Sequence, residues 1–263
     1  SREGEALHPV QAEMARAGGS QCGYCTPGFV VSLFAEWNRD ENGAPMSEAS
    51  VEGNLCRCTG YRPIRDAVHQ LSAIRAKTER AGDPFRARLQ QPAPAREALT
   101  YEVGQRRYHQ PTRLAEALAI LEREPGLTVV AGGTDLVCEV NQRLRRFDGL
   151  LSVEAIEELR TFEERDDAYV IGASVTLSEL EETHARGRVA LLEALLPLFA
   201  SGLVRARATL GGNVATASPI GDGPPVLLAL GAEVEIAGAK GERVVPLDAF
   251  FVGYRKTVLA PGE

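Results

Sequence analysis

The sequence has few aromatic residues and no apolar run long enough to cross a bilayer. Aromatic residues make up 6% of the 263 residues, and only one of them is a tryptophan. A transmembrane helix needs roughly 20 consecutive apolar residues, and the first residues, SREGEALHPVQAEM, lack the regions of a secretory signal. We therefore expect no membrane partner, and the reduced, metal-binding cysteines described below fit a cytoplasmic protein. Because the chain starts at Ser1 without a Met, we also expect it to be a piece of a longer protein.

The sequence also has no excess of basic residues. The chain has 29 Lys and Arg against 36 Asp and Glu, which gives a formal net charge of −7. This balance argues against nucleic acids and anionic membranes as partners. Apolar residues (44%) and charged residues (25%) occur in the proportions of a globular protein. The length is sufficient for about two domains.

Four cysteines stand in two short motifs near the N-terminus. Cys22 and Cys25 form a C-x-x-C pair, and Cys56 and Cys58 form a C-x-C pair about thirty residues later. Such short spacings allow two sulfurs of one loop to reach a common metal centre. Four thiols paired in this way are too regular to be incidental, so we interpret them as ligands of one site.

Each motif is followed by a signal for the start of a helix. Thr26-Pro27 comes before an apolar run that includes Phe29 and Leu33, and the segment TGYRP, which starts at Thr59, comes before a second apolar pattern. Proline is favoured in the first turn of a helix. Two helix N-termini would then direct free N–H groups at the same sulfurs, which suits an anionic centre.

Three kinds of site fit this pattern. A disulfide pair is the least favoured, because C-x-C bridges are strained and no secretory signal is present. A four-cysteine zinc site and a [2Fe-2S] cluster fit four thiolates equally well, and both leave a formal charge of roughly −2. The spacing differs from the plant-type ferredoxin pattern. From the residues alone, zinc and iron–sulfur sites both remain open.

The segments QCGYCTPG and NLCRCTGYRPI resemble the second iron–sulfur domain of the xanthine dehydrogenase and aldehyde oxidase family of molybdenum hydroxylases. The resemblance implies that Cys22, Cys25, Cys56 and Cys58 hold the [2Fe-2S] cluster nearest the molybdenum cofactor. It also implies that Gln21 hydrogen-bonds the pterin of that cofactor.

The spacing of apolar residues divides the chain into two domains. Residues 1–79 are predicted to form an all-α four-helix bundle that holds the [2Fe-2S] cluster. Residues 80–102 gather Pro, Arg and Gln without periodicity, which is typical of an exposed linker. Residues 103–263 form the second domain. The predicted helices of the bundle cover residues 7–18, 27–37, 47–54 and 63–77.

The second domain mixes helices and strands without a strict alternation. Thr112 is a candidate N-cap of a helix, and the segment LTVVAGG indicates a buried strand that enters a glycine turn. Two strands are predicted on either side of Asp166-Asp167. Thr176 and Glu179 have the spacing of a capping box. These patterns together predict an α+β domain.

Two glycine-rich turns in this domain are candidates for binding phosphate. Glycines let consecutive backbone N–H groups turn inward around phosphate oxygens, and nearby hydroxyl groups add donors. Each turn alone is weak support, because glycine marks ordinary turns more often, and no G-x-G-x-x-G motif follows a strand. The candidate residues are Val130, Ala131, Gly132, Gly133, Thr134, Asp135 and Leu136 in the first turn, and Thr209, Gly212, Asn213, Thr216, Ser218 and Asp222 in the second.

Taken together, the two turns resemble the FAD-binding domain of the same family, which is of the CO dehydrogenase flavoprotein/vanillyl-alcohol oxidase type. The resemblance implies that the first turn wraps the FAD pyrophosphate and that the second runs along the ribityl chain and the flavin. Phe199 matches an aromatic residue at the flavin and is a candidate for stacking. A core Phe that ends an apolar helix is nearly as good an interpretation of this residue.

The order of the domains resembles the iron–sulfur/flavin small subunit of the bacterial members of this family. The resemblance implies that a purine is hydroxylated at a molybdopterin centre in a large partner subunit, and that electrons pass through [2Fe-2S] and FAD to NAD. It also implies a hetero-oligomer, such as a dimer of heterodimers. No side chain of this chain is expected to act on the purine. Because the given sequence shows no match to the family's first ferredoxin-like domain or C-terminal flavin subdomain, we expect it to be a fragment of such a subunit.

Two alternatives remain at this point. The substrate could be an aldehyde or an N-heterocycle, because the substrate pocket would lie in the partner subunit. The chain could also be a zinc-stapled interaction module without catalytic function. Among the other residues, we expect Cys138 to be a small buried apolar residue. We expect His69, His109 and His184 to lie at the surface or at helix ends.

Overall fold

The chain folds into two compact units in the computed structural model. The structure describes residues 2–3, 6–39, 44–78, 84–89 and 91–263. The units are Ser1–Pro94 and Ala95–Glu263, and the division between them falls inside the predicted linker. The predicted boundary at residues 79 and 80 lies outside the described residues. Helices and strands occur together, so the predicted α+β class is confirmed.

The first unit is mainly helical. The third predicted helix is only a 3-10 turn, Glu48–Val51. A short hairpin of β1 (Arg2–Glu3) and β2 (Ala6–Leu7) precedes the helices, so the prediction of an all-α domain was wrong in this detail. The helices are α1 (Pro9–Arg16), α2 (Thr26–Asn38) and α3 (Arg62–Arg75).

Apolar side chains of these helices form one core. Phe29 and Leu33 lie four residues apart on one face of α2, and both are completely buried, as are Ile64 and Leu71 of α3. Trp37 joins the same core. This packing holds the first turns of α2 and α3 in place. The first turn of α2 directly follows Cys25, and that of α3 begins four residues after Cys58.

Part of the predicted linker is ordered against the first unit. Residues Pro84–Leu89 form α4, and the ring of Phe85 lies 4.8 Å from the ring of Phe34 in α2. Aromatic pairs of this kind stabilise a contact beyond the area they bury. Residues 91–98 are exposed. The predicted linker therefore contains a short helix, whose described side chains, Phe85, Ala87 and Arg88, are exposed as expected.

The second unit starts with a four-stranded mixed sheet in the order β3-β4-β6-β5. Strands β3 and β4 are antiparallel, whereas β6 is parallel to both β4 and β5. Helix α5 (Leu114–Arg123) follows β4, and α6 (Thr134–Arg143) follows β5. The strands are β3 (Leu99–Val103), β4 (Arg106–Gln110), β5 (Thr128–Val130) and β6 (Gly149–Ser152).

Of the predictions made from short sequence patterns in this unit, two are confirmed and one was wrong. The capping box at Thr176 is confirmed: Glu179 N donates to Thr176 Oγ1 at 3.2 Å, and Thr176 N donates to Glu179 Oε2 at 2.8 Å. The turn at Asp166-Asp167 is also confirmed, between β7 (Phe162–Arg165) and β8 (Ala168–Ile171). Thr112 does not cap α5, because the N-cap is the next residue, Arg113, which makes no side-chain cap.

The remaining elements surround a second apolar core. Leu180, Leu192, Leu196 and Phe250 are buried in it. The elements are a 3-10 turn (Glu157–Arg160), α7 (Leu177–Glu179), a π-helix (Leu180–His184), α8 (Ala190–Leu195), a 3-10 turn (Leu196–Leu198), α9 (Gly202–Arg205), α10 (Leu210–Ala215), α11 (Gly223–Ala229), β9 (Glu233–Gly238), β10 (Gly241–Pro246), α12 (Leu247–Phe250), β11 (Phe251–Gly253) and β12 (Lys256–Thr257).

Two expectations about individual side chains were wrong. Cys138 is exposed, because it lies on α6, a helix with no buried residue. His109 is buried on the inner strand β4, where its Nδ1 lies 3.2 Å from Thr100 Oγ1. His69 is exposed as expected, and the His184 ring stacks on Phe162. Within the described residues, no helix is long and apolar enough to cross a membrane.

Replacing Leu33 by Ala should destabilise the first unit by about 2–5 kcal/mol, because the substitution leaves a cavity in the core. The matched control is Val31→Ala in the same helix, since Val31 is 67% exposed and Leu33 is 0% exposed. We expect the control to change stability by less than about 0.5 kcal/mol. Fluorescence of Trp37, the only tryptophan, reports unfolding of this unit in urea. Equal effects of the two substitutions would contradict the packing described here.

Candidate functional site

The two cysteine motifs lie in loops that end at helix starts. Cys25 is the N-cap of α2, and Tyr61 is the N-cap of α3. Neither residue caps its helix with a side-chain hydrogen bond, so these helix ends keep free N–H groups. Gly23 (φ +84°) and Gly60 (φ +65°) turn the loops through the left-handed region, which favours glycine.

The sulfurs of the two loops meet in pairs, one from each loop. The thiol of Cys22 lies close enough to that of Cys58 to change its pKa, and the thiols of Cys25 and Cys56 interact in the same way. Every cysteine of the chain is free. Residues more than thirty positions apart in the sequence thus lie close together.

Cys56 has the most elaborate surroundings of the four. Its sulfur lies 3.1 Å from Thr59 Oγ1, and the Thr59 backbone N–H donates to it at 3.4 Å. The hydrogen bonds from Thr59 lower the pKa of the Cys56 thiol to about 7. Burial raises the pKa of Cys25. A thiol with a lowered pKa is more readily a thiolate, which is the form that binds metals.

The donor set fits a binuclear iron–sulfur centre. The four thiols would supply the four thiolates that hold a [2Fe-2S] cluster. The free N–H groups at the starts of α2 and α3 suit its negative charge.

The rim of this site is exposed. Gln21, next to Cys22, is exposed, so its side chain is accessible to a partner molecule. Tyr24 is 95% exposed and Leu55 is 68% exposed, although both are apolar and adjoin the cysteine motifs. Exposed apolar side chains of this kind are common where another molecule binds.

The first glycine turn joins the carboxyl end of β5 to the start of α6. Val130 ends the strand and Thr134 begins the helix. Gly133, with φ +73°, is the N-cap and makes no side-chain cap, so the first N–H groups of α6 are not capped by a side chain. In open α/β sheets, ligands bind at the carboxyl ends of parallel strands. The turn can therefore bind phosphate.

The two glycine turns adjoin each other. A Cβ atom on Gly132 would overlap the backbone carbonyl of Arg207, just before the second turn. Thr216 Oγ1 lies 3.0 Å from Asp135 Oδ2, although the two residues are 81 positions apart. The structure thus brings residues of both predicted turns together, and glycine at position 132 is required for their close approach.

Several residues of the second turn have structural roles that the sequence did not indicate. The predicted loop contains helix α10, and Thr209 caps it by accepting a hydrogen bond from Gly212 N at 3.0 Å. Thr209 is buried, and Asn213 Oδ1 accepts from Gly223 N at 3.2 Å. The side chains of Thr209 and Asn213 therefore hold the backbone in place. Direct contact with a ligand is left to the other candidates, such as the exposed Asp222.

Phe199 is half-buried and packs against the second apolar core. Its carbonyl oxygen accepts a hydrogen bond from Arg205 at 2.8 Å, and Arg205 also pairs with Glu181 at 2.7 Å. These contacts anchor the segment that leads to the second glycine turn. They agree with the interpretation of Phe199 as a core residue, and flavin stacking by this residue stays a prediction.

Two sequence families match the chain. Residues 1–69 match the family described as [2Fe-2S] binding domain, and residues 101–263 match the FAD binding domain in molybdopterin dehydrogenase. The xanthine dehydrogenase of Drosophila subobscura is 32% identical over 98% of this chain, and the xanthine dehydrogenase/oxidase of Gallus gallus is 29% identical over 98%. The chain spans only 23% and 24% of the lengths of these relatives.

Solved structures show the same fold. The chain is similar to a carbon monoxide dehydrogenase from Hydrogenophaga pseudoflava that lacks the Mo-pyranopterin moiety of the molybdenum cofactor. The TM-score is 0.57 and the identity 31%, over 62% of this chain and 57% of the other. The quinoline 2-oxidoreductase of Pseudomonas putida 86 gives a TM-score of 0.57 and 28% identity, with the same coverage.

Replacing Gly132 by Ala should weaken FAD binding and destabilise the second unit by about 1–3 kcal/mol, because the new methyl group forces the backbone of Arg207 away. Titration of FAD, followed by flavin fluorescence, measures the first effect, and thermal unfolding measures the second. The control is Gly126→Ala, since a Cβ at Gly126 meets nothing within 4 Å. Unchanged FAD affinity in the Gly132 variant would show that the contact between the turns is not needed for binding.

Proposed function

The chain belongs to the xanthine dehydrogenase/molybdenum hydroxylase family, and from this membership we propose that it is the electron-transfer part of a xanthine dehydrogenase. It would hold a [2Fe-2S] cluster and FAD between a molybdopterin centre in a partner subunit and the acceptor NAD. The observation that carries this proposal is the meeting of four thiols from two loops in cross-loop pairs.

Cys22, Cys25, Cys56 and Cys58 are the proposed ligands of the cluster. When bound, the cluster supplies one-electron transfer and FAD supplies two-electron chemistry. The buried core under α2 and α3 keeps the loops at a fixed separation. Gln21 is exposed beside Cys22 and is proposed to contact the pterin of the molybdenum cofactor.

The two adjoining glycine turns are the proposed FAD site. Backbone N–H groups of the first turn, Val130 to Leu136, would bind the pyrophosphate, supported by the uncapped start of α6. Thr216, Ser218 and Asp222 would lie along the ribityl chain and the flavin. Thr209, Gly212 and Asn213 act by shaping the backbone of this turn. The chain itself supplies no catalyst for the hydroxylation of the substrate.

The proposed substrate is a purine bound on the partner subunit. It is supported by relatives named xanthine dehydrogenase that align with 98% of this chain, across both units. An N-heterocycle such as quinoline is the second candidate, because the quinoline 2-oxidoreductase of Pseudomonas putida 86 shares the fold. An aldehyde is a third candidate within the same family. The partner subunit would form a hetero-oligomer with this chain, for example a dimer of heterodimers.

The cytoplasm is the proposed location of this assembly. Cys22, Cys25, Cys56, Cys58 and Cys138 are all free. Free cysteines that bind a metal centre need a reducing compartment, in which disulfides are rare. Substrate and NAD would also be available there.

Co-expression with a molybdenum-cofactor subunit tests the substrate and the acceptor. We expect the purified complex to reduce NAD when xanthine is added. Little or no reduction is expected with quinoline or an aldehyde at equal concentration. Preferential turnover of quinoline would support the second candidate. Electron transfer from xanthine to oxygen alone, with no reduction of NAD, would contradict the proposed acceptor.

Replacing Cys56 by Ser should abolish the cluster while FAD binding is retained, because the two proposed sites lie in separate units. Iron and acid-labile sulfide per chain measure the cluster, and flavin fluorescence measures FAD. The matched control is Cys138→Ser, because Cys138 is the remaining cysteine and is exposed on α6. We expect the control to keep wild-type iron and sulfide. A wild-type chain that contains zinc and no labile sulfide would instead identify a zinc-stapled module.

A further inference from the structure

Thr59 directs two hydrogen-bond donors at the sulfur of Cys56. Its hydroxyl oxygen lies 3.1 Å from Cys56 Sγ, and its backbone nitrogen lies 3.4 Å from the same sulfur. Both distances are within the range of hydrogen bonds to sulfur. Thr59 comes directly after Cys58, and in the proposed function it is not itself a ligand of the cluster.

The neighbouring contacts show which atom donates in the hydrogen bond between Thr59 Oγ1 and Cys56 Sγ. Tyr61 N donates to Thr59 Oγ1 at 3.2 Å, so the hydroxyl oxygen already acts as an acceptor. A hydroxyl group has one hydrogen to donate. A cysteine sulfur that binds iron is a thiolate and has no hydrogen, so it can only accept. The hydroxyl hydrogen of Thr59 therefore points to Cys56 Sγ.

Tyr61 keeps this loop rigid. Its hydroxyl oxygen accepts a hydrogen bond from Cys56 N at 3.0 Å, and its ring lies 6.5 Å from the ring of the buried Phe29. Its backbone adopts φ +68°, which is uncommon for a bulky residue. The three residues Cys56, Thr59 and Tyr61 thus form a closed set of hydrogen bonds. This set leaves Thr59 little freedom to turn away from the sulfur.

The other cysteine loop lacks this arrangement. Thr26 follows Cys25 directly, and like Thr59 it is half-buried. Its hydroxyl group, however, donates to Ser20 Oγ at 2.7 Å. The chain therefore contains two threonines beside the site, and the described contacts direct only the hydroxyl of Thr59 at a sulfur.

We propose that Thr59 is a positioning residue that raises the reduction potential of the cluster through Cys56. The inference rests on the proposed function, since it requires the cluster. One-electron reduction adds one negative charge to the four-thiolate centre, with no bond broken and no proton transferred. Hydrogen bonds to a ligand sulfur stabilise the more negative state, and they are among the factors that set the potential of iron–sulfur centres.

The test compares Thr59→Val with wild type in the full 263-residue chain. Valine removes the hydroxyl donor and keeps the size and the backbone N–H. We expect the reduction equilibrium constant to fall about tenfold, which is a shift of about 59 mV to more negative potential for one electron. Titration with dithionite, followed by the electron paramagnetic resonance signal of the reduced cluster, measures the shift. Thr59→Ser, which keeps the hydroxyl, should stay close to wild type.

Thr26→Val is the matched control and should leave the potential unchanged. Equal potentials for wild type and Thr59→Val would overturn the inference, and so would equal shifts in the two valine variants. If Thr59→Val does not retain iron, Thr59→Ala and Thr59→Ser replace it, because they differ in the hydroxyl group alone. The inference then requires the negative shift in the alanine variant only.

Iron content separates this inference from the proposed function. A wild-type chain that reconstitutes without iron and labile sulfide overturns both. A wild-type chain with a full cluster, whose potential does not respond to loss of the Thr59 hydroxyl, overturns the role of Thr59 and leaves the proposed function intact.

Discussion

The packing of α2 and α3 on one apolar core is the constraint on which the cysteine site depends. Phe29 and Leu33 of α2 and Ile64 and Leu71 of α3 are completely buried. Helix α2 begins directly after the first cysteine motif and α3 begins four residues after Cys58, so fixing the helices also fixes the loops. A metal centre needs ligands at short, nearly constant distances. The core, which includes Cys56 itself, supplies that geometry.

The second unit obtains its site in a different way, by close approach of two backbones. Gly132 has no Cβ, so the chain before the second glycine turn can pass directly against it. The contact between Thr216 and Asp135 closes the same junction. Side chains such as those of Thr209 and Asn213 then hold the second turn in shape. The backbone N–H groups remain available for an anionic ligand.

Predictions from the sequence were confirmed where the structural feature involves residues that are close together in the chain. The capping box at Thr176 and the turn at Asp166-Asp167 are examples, since each involves residues within a few positions. The hairpin of β3 and β4 was missed, although the alternating Leu99, Tyr101 and Val103 before Gly104 were a usable signal. The burial of His109 could not be predicted, because it depends on strand β6. This strand pairs with β4 although it lies about forty residues later in the chain.

The sequence by itself determined the family, the two kinds of domain and the four cysteines, because motif spacing records which residues must share a centre. Only the tertiary structure decided how the thiols pair, that Gly132 meets Arg207, and that Thr59 rather than Thr26 faces a sulfur. These features depend on contacts between distant segments or on the direction of one hydroxyl group. Such contacts arise from packing, and a linear pattern of residue types does not specify them.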